Sequence, residues 1–167
     1  MIAEKLKLEP LTREAFAPFG DVVEAEGRDW YFINNKMVKR YHDLCTVETG
    51  AEGGRTVVSI CEAQPNTFPM PVRMVERHAL SSQAFIPVDD NPFAVVVAPP
   101  GEAVRKEDLR AFITNGRQGI NYKPGTWHHV LLVPKRPMRF LVVDRAGPSK
   151  NCDEFWFDEA DQLTLEV

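Results

Sequence analysis

The chain has 167 residues, of which 44% are hydrophobic, enough to form one compact domain with a sizeable core over residues 1–167. Its formal net charge of -4 and its pI of about 5.6, with basic residues scattered along the sequence, argue against a nucleic acid or an anionic membrane as partner. We therefore expect a small molecule as the partner.

The cysteines and the N-terminal segment predict where the protein resides. The cysteines Cys45, Cys61 and Cys152 are odd in number, widely separated and without a CxxC pair, which argues against a disulfide framework and a thiolate metal site. The segment MIAEKLKLEP lacks the apolar core of a signal peptide, and no apolar run approaches the roughly 20 residues that span a bilayer. We expect a soluble, cytoplasmic protein.

One short helix is predicted near the start of the chain, in the segment LTREAFAPFG. Thr12 is a suitable N-cap because its hydroxyl can accept a hydrogen bond from a free N–H of the first turn. Glu14 lies in that first turn, and Gly20 is predicted to end the segment.

Eight short runs rich in β-branched and aromatic residues follow, separated by Gly, Pro, Asn and Asp: DVVEA, TVVSICEA, VRMVERH, QAFIPV, FAVVVAP, LRAFITN, HHVLLVP and MRFLVVD. This spacing predicts a β-sandwich or barrel. Phe93–Ala98 and His129–Val133 are apolar without alternation, which indicates strands covered on both faces. A second layer of the chain or a dimer partner is the expected cover.

Two potential metal ligands lie two residues apart in VERHAL. In a strand, residues i and i+2 point to the same face, so Glu76 and His78 are predicted to project together. Gln83 follows five residues after His78 and can offer a side-chain oxygen from the neighbouring turn or strand.

The stretch KPGTWHHV adds two adjacent histidines. If a strand has begun there, His128 and His129 point to opposite faces, so only one of them lines a given pocket. One carboxylate, two imidazoles and an amide oxygen form a mixed set suited to manganese, iron, nickel or zinc. Spacing alone favours ordinary polar residues of half-buried strands over a metal site, because a Glu and a His two positions apart are common.

The segments around these residues resemble the two sequence motifs of the cupins: VERHALSSQAFIPV is similar to the first motif and PGTWHH to the second. In that alignment Glu76 and His78 take the places of two histidine ligands. Gln83 takes the place of a glutamate ligand, and His128 that of the final histidine. The resemblance implies a mainly β, cupin-like double-stranded β-helix or barrel with one or a few short helices. It places His128 inside and His129 against a second layer or a dimer surface.

A closer resemblance covers almost the whole chain. FINNKMVKRYHDL, ERHALSSQAFIPV, LRAFITNGRQGINY, the WHHVL run and the VVDR…NCDE ending occur in the order typical of the ureidoglycolate lyases, formerly called ureidoglycolate hydrolases. This resemblance implies a homodimeric enzyme of allantoin catabolism that splits (S)-ureidoglycolate into glyoxylate and urea. It also implies a divalent metal, with nickel as the candidate, and no organic cofactor. A glutamate and a glutamine stand at two usual cupin ligand positions, which implies a weaker metal site than a three-histidine set.

The implied reaction assigns roles to these residues. The substrate carbinolamide must lose its hydroxyl proton as the carbonyl forms, and the departing urea nitrogen must gain a proton. A metal would lower the pKa of that hydroxyl. The expected ligands are Glu76, His78, Gln83 and His128.

Glu76 or His129 is the expected base. Without a metal, Glu76 would be the base and His128 the acid. Arg110 and Lys123 are the candidates for binding the substrate carboxylate, because an arginine can hold a carboxylate through two hydrogen bonds and Lys123 borders the histidine turn.

Three other functions are compatible with the sequence. A ureidoglycolate amidohydrolase would act at the urea carbonyl and release ammonia. A non-catalytic cupin module would bind a small organic acid as a sensor. A structural or storage cupin is disfavoured because polar residues on core strands cost stability when they serve no function.

Overall fold

The computed structural model describes residues 4–167; the first three residues of the MIAEKLKLEP segment lie outside the described part. Within this range the helices are α1 (Arg13–Phe16) and three 3-10 turns at Ala51–Gly53, Lys106–Asp108 and Glu159–Asp161. The strands are β1 (Lys5–Leu6), β2 (Leu8–Pro10), β3 (Gly20–Val23), β4 (Tyr31–Ile33), β5 (Val38–Arg40), β6 (Arg55–Ala63), β7 (Met70–Pro71), β8 (Met74–Arg77), β9 (Gln83–Pro87), β10 (Ala94–Ala98), β11 (Arg110–Ile113), β12 (Gly119–Tyr122), β13 (Trp127–His128), β14 (Met138–Ala146), β15 (Asp153–Trp156) and β16 (Thr164–Leu165).

Two sheets form the body of the fold. The six-stranded sheet has the order β15-β8-β13-β10-β11-β2, and the five-stranded sheet has the order β3-β12-β9-β14-β6. A three-stranded sheet, β1-β16-β7, and a hairpin, β4-β5, complete the described part. The mainly β, cupin-like prediction is confirmed, although among residues 4–167 the sheets stay open and do not close into a barrel.

The six-stranded sheet separates two apolar cores. On β10, Val95 and Val97 face the five-stranded sheet, whereas Val96 faces the other core together with Leu165 of the three-stranded sheet. Every residue of β10 is buried. The prediction that Phe93–Ala98 is covered on both faces is therefore confirmed, and the covering layers belong to the chain itself.

The predicted helix is present and begins where Thr12 caps it. The N–H of Ala15 donates to the Thr12 hydroxyl at 3.2 Å, and the helix ends at Phe16, whose ring is buried. Gly20 lies beyond this end, as the first residue of β3. A Cβ at Gly20 would collide with the carbonyl oxygen of Asn121 on the paired strand β12, so only glycine fits this close approach.

Seven of the eight predicted strand runs coincide with observed strands, and the eighth is wrong in an informative way. In HHVLLVP only His128 belongs to a regular strand. Val97 pairs with His128, and Ala94 pairs with Leu132. Three steps along β10 therefore match four steps along the partner, so one extra residue lies after His128. This is a β-bulge, which turns the following side chains away from simple alternation.

No helix among residues 4–167 has the length and apolar character needed to cross a membrane.

We expect Phe140→Ala to lower the free energy of unfolding by about 3–5 kcal/mol, because it leaves a cavity in the core between the two large sheets. The Phe140 side chain has no exposed surface, and its ring lies 5.0 Å from that of Phe93 between centroids. Urea unfolding measures the change. The matched control is Val88→Ala, at a side chain that is 63% exposed, with an expected change within about 0.5 kcal/mol. Equal losses in the two variants would contradict this assignment of the core.

Candidate functional site

A cavity of about 420 Å³ opens between the six-stranded and the five-stranded sheet. It receives residues from both sheets, because β8 and β13 supply one wall while β9 and β12 supply the facing wall. Its polar lining residues are Gln64, Glu76, Gln83, Tyr122, His128 and His129. A neighbouring depression of about 340 Å³ is lined by His78 and shares Gln83 with the cavity.

Strand pairing determines which side chains meet in the cavity. Glu76 of β8 pairs with His128 of β13 in one sheet, and Gln83 of β9 pairs with Tyr122 of β12 in the other. The potential ligand atoms of Glu76, His78 and His128 all lie within 4.8 Å of one another. The structure thus brings together Glu76 and His78, which strand alternation selected, and His128, which the cupin resemblance selected.

Backbone carbonyls orient three of the histidines. His78 Nδ1 lies 2.7 Å from the carbonyl oxygen of Asn151, His128 Nδ1 lies 3.1 Å from that of His129, and His129 Nδ1 lies 3.0 Å from that of Val130. A carbonyl oxygen only accepts hydrogen bonds, so each Nδ1 carries the proton and donates. Each Nε2 therefore presents a lone pair when the ring is neutral.

The Gln83 amide is oriented in the same sense. Its Nε2 donates to Asp144 Oδ2 at 3.1 Å, which leaves Oε1 as the inward atom. Three buried acceptors, His78 Nε2, His128 Nε2 and Gln83 Oε1, lack a hydrogen-bond partner among residues 4–167. Unpaired buried polar atoms cost free energy, and the ligand atoms of His78 and His128 lie within 4.8 Å of the Glu76 carboxylate, which indicates a candidate cation site.

Burial controls the charge of the aromatic groups around Glu76. Burial, with a further contribution from His78, lowers the pKa of His128 to about 3, so its Nε2 lone pair is available at neutral pH. Burial also lowers the pKa of His129, against the opposing effect of Glu76. Burial and, less strongly, the charge of Glu76 raise the pKa of Tyr122, which keeps its hydroxyl protonated.

Cys152 contacts the Glu76 carboxylate, with its Sγ 3.6 Å from Glu76 Oε2. Burial and the nearby carboxylate raise the pKa of Cys152 to about 11. The group is therefore a thiol at neutral pH, whereas a metal ligand would have to be a thiolate. A second group of potential ligands contains Glu76, Cys152 and Glu154. The nitrogen and oxygen atoms of Glu76, His78 and His128 fit a divalent transition metal better than this second group does.

The two histidines of the WHHV run both line the cavity, so the prediction that only one of them lines a given pocket is wrong. The bulge after His128 is the physical reason, because regular alternation ends at that residue. His129 is 7% exposed, and besides this cavity it borders an apolar depression that contains Trp156.

Arg110 and Lys123 do not line this cavity. Arg110 lies on β11 in the same cross-strand row as His128, with Val97 between them, at a separation of about 10 Å for two strand spacings. Its guanidinium donates to both carboxylate oxygens of Glu9, at 3.1 Å each from Nη2. Lys123 is exposed beside the turn that precedes β13. Their assignment to the substrate carboxylate stays a prediction.

Sequence reasoning missed Tyr122, Asp144 and Asn151. The segment GINY alternates small and large residues, which is a weak signal for a strand that turns Tyr122 inward. Asp144 and Asn151 act through partners 61 and 73 residues away, and no local pattern reports such contacts.

Comparison with known proteins agrees with the family resemblance found in the sequence. A family model described as ureidoglycolate lyase matches residues 3–165. A curated ureidoglycolate lyase of Pseudomonas paraeruginosa is 54% identical over 161 residues, which cover 96% of this chain and 95% of that protein. The ureidoglycolate lyase of Azotobacter vinelandii is 51% identical over 160 residues, or 96% of each chain.

A solved structure, the TDP-fucose-3,4-ketoisomerase WlaRA of Campylobacter jejuni, covers 85% of this chain and 86% of its own. Its TM-score of 0.36 and its 8% identity are too low to inform the assignment.

We expect long-range proton–nitrogen NMR of the chelator-treated protein to find His78, His128 and His129 in the Nδ1–H tautomer, because each Nδ1 donates to a carbonyl. His128 should stay neutral from about pH 8 to about pH 5, since its pKa is lowered to about 3. The fourth histidine, His42, is exposed and serves as the internal control. An Nε2–H tautomer at His78 or His128 would place a proton in the cavity and rule out the acceptor set.

Proposed function

Because the chain belongs to the ureidoglycolate lyase family, we propose that it cleaves (S)-ureidoglycolate to glyoxylate and urea. It would act as a carbon–nitrogen lyase in allantoin catabolism, in the cytoplasm. The observation that supports this most directly is the convergence of Glu76, His78 and His128 within 4.8 Å at a cavity of about 420 Å³. A cavity of this size accommodates a small organic acid.

The reaction requires two proton transfers. One carbon of ureidoglycolate bears a hydroxyl, a carboxylate and a urea nitrogen. As the carbon–nitrogen bond breaks, the hydroxyl oxygen loses its proton and becomes the carbonyl of glyoxylate, and the urea nitrogen gains a proton. No water is consumed, so one group that accepts the first proton and returns it to nitrogen completes the cycle.

Glu76 is the group that we assign to this proton transfer. Its Oε1 lies 3.7 Å from His78 Nε2, and its carboxylate borders the cavity. Burial lowers the pKa of His128 to about 3, so its ring is neutral at neutral pH and its Nε2 carries no proton, which weakens the alternative in which it protonates the urea nitrogen. His129 lines the same cavity and is the second candidate for the base.

A divalent metal fits the converging acceptors. The residues that would hold it are Glu76, His78, Gln83 and His128, and the family resemblance suggests nickel. Such a cation would supply Lewis acidity that lowers the pKa of the substrate hydroxyl. Asp144 and Asn151 would support this set, because they orient the Gln83 amide and the His78 ring.

A homodimer is supported by apolar side chains on the surface of the single chain. Val58 and Ile60 of β6 are 64% and 58% exposed, and Met37 beside the β4-β5 hairpin is 83% exposed. Trp30 and Phe32 of the same region are also exposed. Groups of exposed apolar residues are typical of protein interfaces, so we propose that a second copy of the chain covers part of these two exposed regions.

The first experiment is a product assay on the purified protein with racemic ureidoglycolate. Glyoxylate and urea should form in equal amounts, faster than by spontaneous decay, because the lyase breaks the bond between the carbinol carbon and nitrogen. Chelator treatment should lower the rate, and nickel should restore it. Ammonia in place of urea would indicate the amidohydrolase, and no acceleration would indicate a binding module. Full activity after complete metal removal would exclude the metal but leave the lyase assignment intact.

Replacement of the proposed base provides a separate prediction. We expect Glu76→Gln to lower kcat at least about 100-fold, because a general base contributes on this order, and we expect a smaller loss for His129→Gln. The metal content of both variants must be measured, since Glu76 is also a proposed ligand. If His129→Gln gave the larger loss at equal metal content, the role of base would pass to His129.

A further inference from the structure

Tyr122 is an aromatic residue at the cavity wall that the reaction scheme has not used. Its ring stacks on the His128 imidazole, with 4.2 Å between centroids and 7° between planes. The Phe85 ring approaches at 6.2 Å in an edge-to-face arrangement. Tyr122 is only 4% exposed, so its ring has little freedom to move. None of the hydrogen bonds found among residues 4–167 uses its hydroxyl.

The cavity is rich in acceptors and poor in donors. His128 and His129 present Nε2 lone pairs because each Nδ1 proton is used by a carbonyl. Gln83 presents its amide oxygen, and Glu76 presents a carboxylate. In the described part of the chain no lysine or arginine lines this cavity. Ureidoglycolate, however, carries a carboxylate, which needs donors.

Besides the Gln83 amide, whose Nε2 donates to Asp144, three lining side chains carry a proton that they can donate, and they differ in how well they are held. Gln64 lies at the exposed rim, where its amide competes with water. The Cys61 thiol is a weak donor. Tyr122 combines a strong O–H donor with a ring fixed from both sides, and it stands opposite Gln83 in the register of β12 and β9. A preorganised donor loses little entropy when it binds its acceptor.

We infer that the Tyr122 hydroxyl donates a hydrogen bond to the carboxylate of the substrate and so selects small carboxylic acids for this cavity. The inference rests on the proposed lyase function and adds a substrate-binding residue to it. A carboxylate has two oxygens and about four acceptor positions, so it can accept from Tyr122 whether or not its other oxygen contacts a cation. The phenol remains a donor throughout and transfers no proton.

The ring of Tyr122 has a second effect through its stacking on His128. It fixes the imidazole plane from the side of the five-stranded sheet, while the carbonyl of His129 fixes the Nδ1 proton. Removal of the hydroxyl alone leaves this contact intact. Phenylalanine therefore separates the donor from the positioning effect of the ring.

The test is Tyr122→Phe, with Tyr31→Phe on the exposed β4-β5 hairpin as the matched control. A hydrogen bond to a charged group is worth roughly a 10- to 100-fold change in affinity. We expect KM for ureidoglycolate to rise and the affinity for glyoxylate to fall by this factor in Tyr122→Phe, with a smaller change in kcat. Urea, which has no carboxylate, should inhibit both variants and the wild type equally.

Unchanged KM and unchanged glyoxylate affinity in a folded Tyr122→Phe variant would overturn the inference. A loss of urea inhibition in place of glyoxylate affinity would overturn it as well, because the hydroxyl would then bind the ureido group. Glyoxylate binding is measured directly by calorimetry, so this comparison remains decisive even if the wild type fails to produce glyoxylate and urea.

A measurement on the wild type covers the case in which Tyr122→Phe does not fold. The chain has three tyrosines, so carbon-13 labelling at Cζ gives three resonances. The Tyr31→Phe and Tyr41→Phe variants assign the third by elimination. Glyoxylate should shift the Tyr122 resonance and leave the other two in place; a Tyr122 resonance that does not respond would contradict the hydrogen bond.

Discussion

The stacking of Tyr122 on His128 is the contact on which the site depends, because it joins the two large sheets at the level of the cavity. Away from the cavity the two sheets contact each other through apolar rings, such as those of Phe93 and Phe140. At the stack itself, polar atoms replace apolar ones, and the Nδ1 atoms of His128 and His129 donate to backbone carbonyls. Within the described part of the chain, these bonds leave the Nε2 atoms unpaired, and those atoms are the acceptors that can bind a ligand in the site.

The bulge after His128 is a local feature that changes which side chains line the site. One extra residue between the pairings of Val97 and Ala94 ends regular alternation, and His129 joins His128 at the cavity wall. Bulges occur next to active sites because they redirect a side chain without interrupting the sheet. Here the redirection adds a third imidazole beside Glu76 while β10 keeps its partners on both sides.

The sequence was sufficient for the elements whose signals are local. The cap at Thr12, most of the long strands and the shared face of Glu76 and His78 all follow from side-chain period and turn chemistry. It was insufficient where a contact joins distant segments. The role of Tyr122 depends on the register of β12 against β9, and the His78 tautomer depends on a carbonyl at Asn151. The face of His129 was mispredicted because a single inserted residue leaves no periodic trace.

The bond from His78 to Asn151 spans 73 residues and has a consequence for protein synthesis. The Asn151 side chain also holds the N–H of Leu80 and the hydroxyl of Ser81, so one late residue orders the whole turn after β8. The strand β8 pairs with β13 and with β15, and β15 begins two residues after Asn151, so the sheet around His78 is completed only when this last part of the chain is in place. The site is therefore completed among the last steps of synthesis, and a chain truncated before Asn151 would lose both the carbonyl that orients His78 and the edge strand β15 that pairs with β8.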